Sequence, residues 1–114
     1  MAFGTKVRFE AVRELAFGGI TGTYAAVGTA LTDHARLVTI TNSTDVEMYI
    51  SLNGTTDHLR LASNSFKLYD FSANKIRDDG LFVPVGTIFY VRDVAAAAAS
   101  GAVWIEVMYA TGGV

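Results

Sequence analysis

Both histidines of the chain lie in one short pattern that occurs twice, Thr-Asp-His-x-Arg-Leu. The first copy falls in residues 31–37 and the second in residues 55–61. Histidine nitrogens and aspartate oxygens are ligands that zinc and related metals accept, so a duplicated metal or catalytic site is one interpretation. Under that interpretation the protein would be an enzyme.

Turn chemistry explains the same residues without a site. Thr-Asp before an extended segment is common in turns, which places Asp33 and Asp57 at the ends of loops. His34 and His58 then begin strands, and the arginine two residues later opposes metal binding by raising the local positive potential. We therefore expect two turns that lead into strands, and no catalytic, cofactor-binding or metal-binding residues. A contact made by exposed His/Arg pairs is the third interpretation.

The remaining chemical motifs are weak. Asp78 and Asp79 precede Gly80 in a turn signal, and neighbouring carboxylates in a turn point apart. The sequence contains no D-x-D-x-D-G calcium loop, no G-x-S-x-G serine motif and no glycine-rich phosphate loop. These patterns predict a protein that is not an enzyme and has no cofactor.

Length and composition indicate one domain over residues 1–114. Hydrophobic residues make up 51% of the chain, which is enough for a core. The net charge is −2 and no dense basic run occurs, so we expect no nucleic-acid partner. No signal peptide is visible and no run of roughly 18 apolar residues occurs, so we expect no membrane span. The lack of cysteine fits a reducing cytosol.

Alternation of apolar and polar residues predicts a chain built almost entirely of short β-strands. Turn residues separate these segments at intervals of about ten residues, which is typical of sandwiches and barrels. We therefore predict an all-β fold, an antiparallel β-sandwich of jelly-roll-like form with eight or nine short strands. The predicted strands are 6–17, 23–31, 36–42, 46–52, 58–61, 65–71, 81–83, 87–92 and 102–110.

Three connections are predicted from local composition. Asn53-Gly54 is the strongest hairpin signal in the chain, and Asp78-Asp79-Gly80 predicts a further turn. The alanine-rich run 94–100 has a high helix propensity, but its seven residues are too few to nucleate a helix unaided. We expect this run to connect the last two strands as a hairpin, with at most one helical turn.

Several predicted strands are apolar on both sides. In segment 102–110 Trp104 lies opposite the main apolar set, and in segment 65–71 Tyr69 does so. A second buried layer, a protein contact or a sugar-stacking platform would each explain such rings. Because a sandwich gives each strand one inner face, we expect apolar surface that self-association or docking buries.

Four blocks of the sequence follow one another in a recognisable order within residues 15–112. They read LAFGGITGTYAAVGTAL, ARLVTITNSTDVEMYISLNGTTDHLRLASNSFKLYDFSANK, LFVPVGTIFYVRD and SGAVWIEVMYATG. In this order the blocks resemble a family of small structural virion proteins of tailed bacteriophages. The alanine run departs from the Gly/Thr/Ser-rich loop typical of the family. The resemblance therefore predicts the fold but not the conformation of this loop.

The resemblance implies a non-enzymatic, β-rich subunit that packs in multiple copies as a capsid decoration or cement protein, or as a neck or tail component. Its partners would be further copies of itself and other virion proteins, with no nucleic acid and no membrane. Its location would be the virion, after synthesis in the cytoplasm of the bacterial host. The alternative is a β-sandwich module of a tail fibre or adhesion assembly that binds a glycan or receptor.

Overall fold

The computed structural model describes residues 6–70, 75–76, 79–80 and 83–111. These residues contain eleven β-strands and no α-helix, with a single 3₁₀ turn at Phe17–Gly19. The prediction of an all-β chain is confirmed. The strands are β1 (Lys6–Phe9), β2 (Arg13–Ala16), β3 (Ala25–Ala26), β4 (Ala35–Asn42), β5 (Met48–Ser51), β6 (Leu59–Leu61), β7 (Ser65–Asp70), β8 (Lys75–Ile76), β9 (Asp79–Gly80), β10 (Tyr90–Asp93) and β11 (Ala102–Thr111).

Nine of these strands form two antiparallel sheets that pack against each other. Sheet A has five strands in the order β1-β11-β4-β7, and β2 shares the β1 edge by pairing with the other end of β11. Sheet B has four strands in the order β3-β10-β5-β6. The remaining two, β8 and β9, form a small separate hairpin.

The order of pairing is that of a jelly roll. We take β1 and β2 as one interrupted strand and set the β8–β9 hairpin aside. The first strand then pairs with the last, the second with the last but one, and so on to the central β5–β6 hairpin. The predicted jelly-roll-like sandwich is therefore confirmed.

The core lies between the sheets and follows the alternation of the strands. Every second residue of β4, β5 and β11 points inward, because successive side chains of a strand face opposite sides. Val46 and Leu52, which the sequence predicts to face the core, pack against it while half-buried. The buried core includes Val38, Ile40, Met48, Ile50, Val91, Val103, Ile105 and Val107.

A buried asparagine at the end of β4 forms hydrogen bonds with two of the chain segments that connect the sheets. Asn42 Nδ2 donates to the carbonyl of Val46 at 2.9 Å and to those of Leu61 and Ala62 at 3.3 and 3.1 Å. Its Oδ1 accepts from the backbone N–H of Thr44 at 3.0 Å and from the hydroxyl of that residue at 2.5 Å. These bonds tie the β4–β5 connection to the β6–β7 connection, so one side chain holds both sheets together.

The predicted first strand, 6–17, is interrupted in the structure. It forms β1 and β2, which pair with different parts of β11 and are separated at residues 10–12. Arg13 lies opposite Ile105 on the core-facing side and is only 7% exposed. A buried guanidinium needs hydrogen-bond partners, and the break in the strand brings Glu10 to it.

The prediction that the alanine run closes a terminal hairpin is wrong. Residues 94–101 leave β10 in sheet B and enter β11 in sheet A, and they contain no helical turn. The cause is the pairing of β11, which lies between the β1 edge and β4 and so cannot pair with β10. The backbones at this crossing are close: a Cβ on Gly101, at φ +88°, would lie 2.2 Å from the carbonyl oxygen of Ser43.

Other predicted boundaries need smaller corrections. Only Ala25–Ala26 of segment 23–31 is a strand, and Gly28 adopts φ +72°. The last residue of segment 81–83, Val83, forms one bridge to Ala35, and residues 81–82 lie outside the described part. The strand predicted at 87–92 is shifted to Tyr90–Asp93.

Two predicted turns have different outcomes. The Asn53-Gly54 hairpin is confirmed, because β5 and β6 pair across it and Gly54 adopts φ +83°. The Asp78-Asp79-Gly80 turn is displaced, because Asp79–Gly80 is strand β9 and pairs with β8. Asp78 itself lies outside the described residues.

Candidate docking surface

The two Thr-Asp-His segments are turns that lead into strands, as predicted. His34 directly precedes β4, and its Nδ1 accepts a hydrogen bond from the backbone N–H of Val85 at 2.9 Å. His58 directly precedes β6, and its Nδ1 accepts from the N–H of Leu52 at 3.0 Å. Each imidazole thus fixes a neighbouring loop by the same bond. Within the described residues, no group of three or more His, Asp or Glu side chains is placed to hold a metal ion.

The aspartates of the two segments have different partners. Asp33 donates its backbone N–H to Glu10 Oε2 at 3.1 Å, which fastens the loop before β4 to the β1–β2 break. Asp57 instead binds Arg92 of β10 through both carboxylate oxygens, at 3.1 and 2.8 Å. The repeated sequence therefore does not produce a repeated site.

The outer face of sheet B is covered by a polar cluster whose members bind one another. The Arg92 guanidinium lies 4.7 Å from the ring centroid of Tyr49 and 5.5 Å from that of Tyr24. The Tyr24 hydroxyl donates to Asp57. Arg60 forms a second bidentate pair, with Glu47, at 2.6 and 2.8 Å.

These contacts change the titration of the cluster. Desolvation, and then the hydrogen bond to Asp57, raise the pKa of Tyr24 to about 12. The hydrogen bonds from Arg92 and Tyr24 hold the pKa of Asp57 below its usual value. The charged and hydroxyl groups of this face thus satisfy one another within the chain.

The outer face of sheet A is largely apolar. Directly opposed residues of neighbouring strands lie on the same face. The register places Trp104 beside Thr41, which has Phe66 on its other side, and it places Met108 between Leu37 and Phe9. Phe9, Phe66 and Leu68 are 70%, 66% and 54% exposed. We call this face the sheet A surface, with the members Val7, Phe9, Glu14, Leu37, Thr39, Thr41, Phe66, Leu68, Asp70, Trp104, Glu106 and Met108.

The sheet A surface is comparable in size with the largest apolar patch of a typical monomer. Strands spaced at about 4.8 Å with about 3.4 Å per residue give a four-strand face of roughly 400 Å², polar members included. The largest apolar patch of a monomer covers roughly 300–600 Å² and is often functional. The members of the sheet A surface include the carboxylates Glu14, Glu106 and Asp70 but no lysine or arginine.

Both edges of sheet A carry a cation on the core-facing side. Lys67 of β7 pairs with the buried Ile40 and lines the same depression as Leu59 and Leu61, yet it is exposed. Arg8 of β1 alternates with Val7 and Phe9 and is exposed too. An inward-pointing charge on an edge strand blocks the addition of another strand. Contact through the face of sheet A is therefore favoured over contact through its edges.

A buried ion pair positions the β1 edge of this surface. Arg13 donates to Glu10 Oε1 at 2.6 Å and to the carbonyls of Thr29 and Ala30 at 2.8 and 3.1 Å. Burial acts to raise the pKa of Glu10, but hydrogen bonds from Arg13, Thr32 and Asp33 outweigh it and hold that pKa below its ordinary value. The pair holds Phe9 and Glu14, on either side of the break, in the sheet.

An apolar groove of about 330 Å³ opens between the two sheets. His58 lies in its lining, with its Nδ1 already bound to the N–H of Leu52. The other lining residues are Val38, Ile40, Leu52, Leu59, Tyr69, Val83 and Phe89. The sequence gives no signal for this groove, because its lining residues come from separate strands and loops.

The aromatic residues singled out in the sequence face opposite ways. Trp104 lies on the sheet A surface and is half-buried. Tyr69 points inward opposite Val38 and packs against the core, whereas Phe66 and Leu68 of the same strand face outward. The apolar majority of β7 is thus on its outer side, and the sequence correctly identified this strand as apolar on both sides.

The fold and this surface define a class: a jelly-roll sandwich with one ion-paired face and one apolar face. No protein-family model matches the chain, and no curated protein matches it. Within the described residues, no helix is long and apolar enough to cross a membrane.

Proposed function

We propose that the chain is a non-enzymatic structural protein of a tailed-bacteriophage virion, a β-sandwich subunit that packs in multiple copies as a capsid decoration or cement protein, or as a neck or tail component. The sheet A surface is the observation that carries this proposal. A single sandwich leaves Phe9, Phe66 and Leu68 in water, and a permanent neighbour would cover them.

The sequence resemblance supports the same proposal independently of the surface. It points to virion proteins that work by packing, and the sandwich supplies a flat face with which to pack. The proposed location is the virion, after synthesis in the host cytoplasm, and the proposed partners are further copies and other virion subunits. No nucleic-acid partner is proposed, because the net charge is −2 and the sequence has no dense basic run to neutralise phosphates.

A glycan-binding module of a tail fibre has less support. Sugars stack on open aromatic faces beside planar polar groups, and Tyr24, Tyr49, Asp57 and Arg92 offer those groups on sheet B. The Arg92 guanidinium, however, already lies against both rings. Saturable binding of a sugar that is lost in Tyr49→Ala would favour this alternative.

Mass spectrometry of purified virions tests the proposed function. The virions are those of the phage that encodes the chain, and the major capsid subunit provides the reference for copy number. We expect the chain to be present in many copies per particle. Its presence in the infected-cell lysate together with its absence from intact virions would overturn the proposal.

A further inference from the structure

The charges of the sheet A surface restrict what can cover it. Glu106 lies between Trp104 and Met108 on β11, and the register continues from it through Thr39 to Leu68. Glu14 lies opposite Trp104. Neither glutamate forms an ion pair with any described residue, whereas Glu10 and Glu47 each have an arginine. The surface thus combines apolar rings with two glutamates, Glu14 and Glu106, that form no ion pair with the described residues.

A second copy that docks through its own sheet A surface offers no complementary charge from the members of that surface. Two sheet A surfaces face to face would bury their glutamates against each other without a cation, which is costly. The arginines of sheet B, Arg60 and Arg92, are already bound to Glu47 and Asp57. Lys67 and Arg8 lie on the core-facing side of the edges of sheet A, away from a neighbour that docks on its outer face.

We propose that the sheet A surface docks a different protein, whose contact surface presents apolar side chains together with lysine or arginine. This inference rests on the proposed function and specifies its partner as a non-identical subunit. Lysine or arginine side chains of the partner contact Glu14 and Glu106. The aliphatic stems of these cations and the partner's apolar side chains together cover Trp104, Phe66 and Leu68.

Trp104 provides the experiment, because it is the only tryptophan of the chain and lies on this surface. The full chain is titrated with an amphipathic peptide of leucine and lysine, and separately with a leucine and glutamate peptide of the same length. We expect a saturable blue shift of the Trp104 emission with the lysine peptide. The glutamate peptide should bind at least about tenfold more weakly at low salt, because its charges repel those of the surface.

Matched variants locate the effect. The double variant Glu14→Gln with Glu106→Gln should bind the lysine peptide at least about fivefold more weakly, since each lost charge pair removes part of the attraction. The control Glu47→Gln removes a carboxylate from sheet B and should leave the affinity of the Trp104 site unchanged. Equal binding of the two peptides, or an equal loss in Glu47→Gln, would overturn the inference.

Self-association is the competing outcome, and it is separable. Sedimentation velocity over a range of protein concentrations, with no peptide, should show no oligomer that blue-shifts Trp104. An oligomer that does so would place a second copy on the sheet A surface and overturn this inference, while the virion proposal would stand. Failure of the virion proposal is observed separately, as absence of the chain from purified particles.

Discussion

The two outer faces of the sandwich have opposite chemistry although one chain folds both. On sheet B, Arg92 and Arg60 are each bound by a carboxylate, and the ring of Tyr49 lies under a guanidinium. On sheet A, Phe66 and Leu68 are exposed and Glu106 has no ion pair among the described residues. The polar groups on the outer face of sheet B are therefore bound within the chain, whereas the outer face of sheet A leaves large apolar side chains exposed.

This difference shows which features of a small sandwich indicate function. An ion-paired, aromatic cluster attracts attention as a site, but its groups are already satisfied by one another and leave little for a ligand. Exposed rings and glutamates without an ion pair, as on the sheet A surface, resemble a functional site less than the cluster on sheet B does. The exposed rings are costly to leave in water, and the proposed contact with another protein would cover them.

The largest expected effect comes from Asn42, whose side chain binds connections between the two sheets. Asn42→Leu leaves the buried carbonyl of Leu61 without the amide that binds it, and it leaves the buried backbone N–H of Thr44 without its acceptor. Each buried unsatisfied group costs about 1–3 kcal/mol, so we expect the free energy of unfolding to fall by about 2–6 kcal/mol. Urea denaturation, followed by Trp104 fluorescence and by far-UV circular dichroism, measures this loss.

The control for Asn42 is the neighbouring outward residue of β4, and Thr41→Val there should change stability little. In the wild type both probes should report one transition, because the Asn42 side chain connects the two sheets. An Asn42→Leu variant as stable as Thr41→Val would contradict the role assigned to the Asn42 side chain.

The second expected effect acts on sheet A through its edge. Glu10→Gln breaks a buried ion pair, which costs about 3–5 kcal/mol when one partner is left uncompensated. The folded state holds the pKa of Glu10 below its ordinary value of 4.5, so the unfolded state binds a proton more readily. The stability from this carboxylate is therefore complete above that value and is lost as the pH falls through the folded pKa.

Unfolding free energies of wild type and Glu10→Gln between pH 7 and acid conditions test that linkage. The wild type should lose its advantage over the variant as the solution becomes acidic, whereas the exposed control Glu106→Gln should follow the wild type. A difference between wild type and Glu10→Gln that stays constant with pH would contradict the role assigned to the charge.

The third effect separates the two faces directly. Phe66→Ser with Leu68→Ser should weaken docking to virions that lack the protein by at least about 100-fold, because two buried interface anchors are lost. Stability should change little, since both side chains are exposed in the free chain. Tyr49→Ser removes an aromatic ring from sheet B and serves as the matched control. Docking that survives the sheet A double variant but fails in Tyr49→Ser would reverse the assignment.

The smallest effect sharpens the description of sheet B. An ultraviolet titration should show one of the five tyrosines ionising near pH 12, and we assign it to Tyr24. In Asp57→Asn the pKa of Tyr24 should decrease toward 10. The carboxylate that accepts the hydroxyl proton, and whose negative charge opposes ionisation, is then absent. Docking should stay unchanged in this variant. A titration that is identical in the two proteins would remove Asp57 as a cause.

The sequence predicted the features that alternation controls. Val103, Ile105 and Val107 face the core as expected, and the observation that strands are apolar on both sides led to the sheet A surface. Alternation does not say which side of an edge strand faces inward, so the sequence left the orientation of Tyr69 in β7 open. Alternation also does not distinguish a buried arginine from an exposed one. The sequence therefore predicted one continuous strand where the structure has a break beside the buried Arg13.

Long-range pairing decided the rest. The Asp57–Arg92 pair joins residues 35 positions apart, and neither neighbourhood contains a signal for the other. The alanine run crosses between sheets because β11 already has neighbours on both sides, which no local propensity records. The pattern of the two Thr-Asp-His segments did predict their turns correctly, since turn chemistry is local.

Hydroxyl-radical footprinting of the chain, free and assembled in the virion, tests the central claim most directly. Oxidation of Trp104, Met108 and Phe66 should decrease strongly on assembly, while that of Tyr49 and Tyr90 on sheet B should change little. Protection of the sheet B tyrosines, with the sheet A residues still oxidised at the rate of the free chain, would contradict the claim that the chain docks through sheet A.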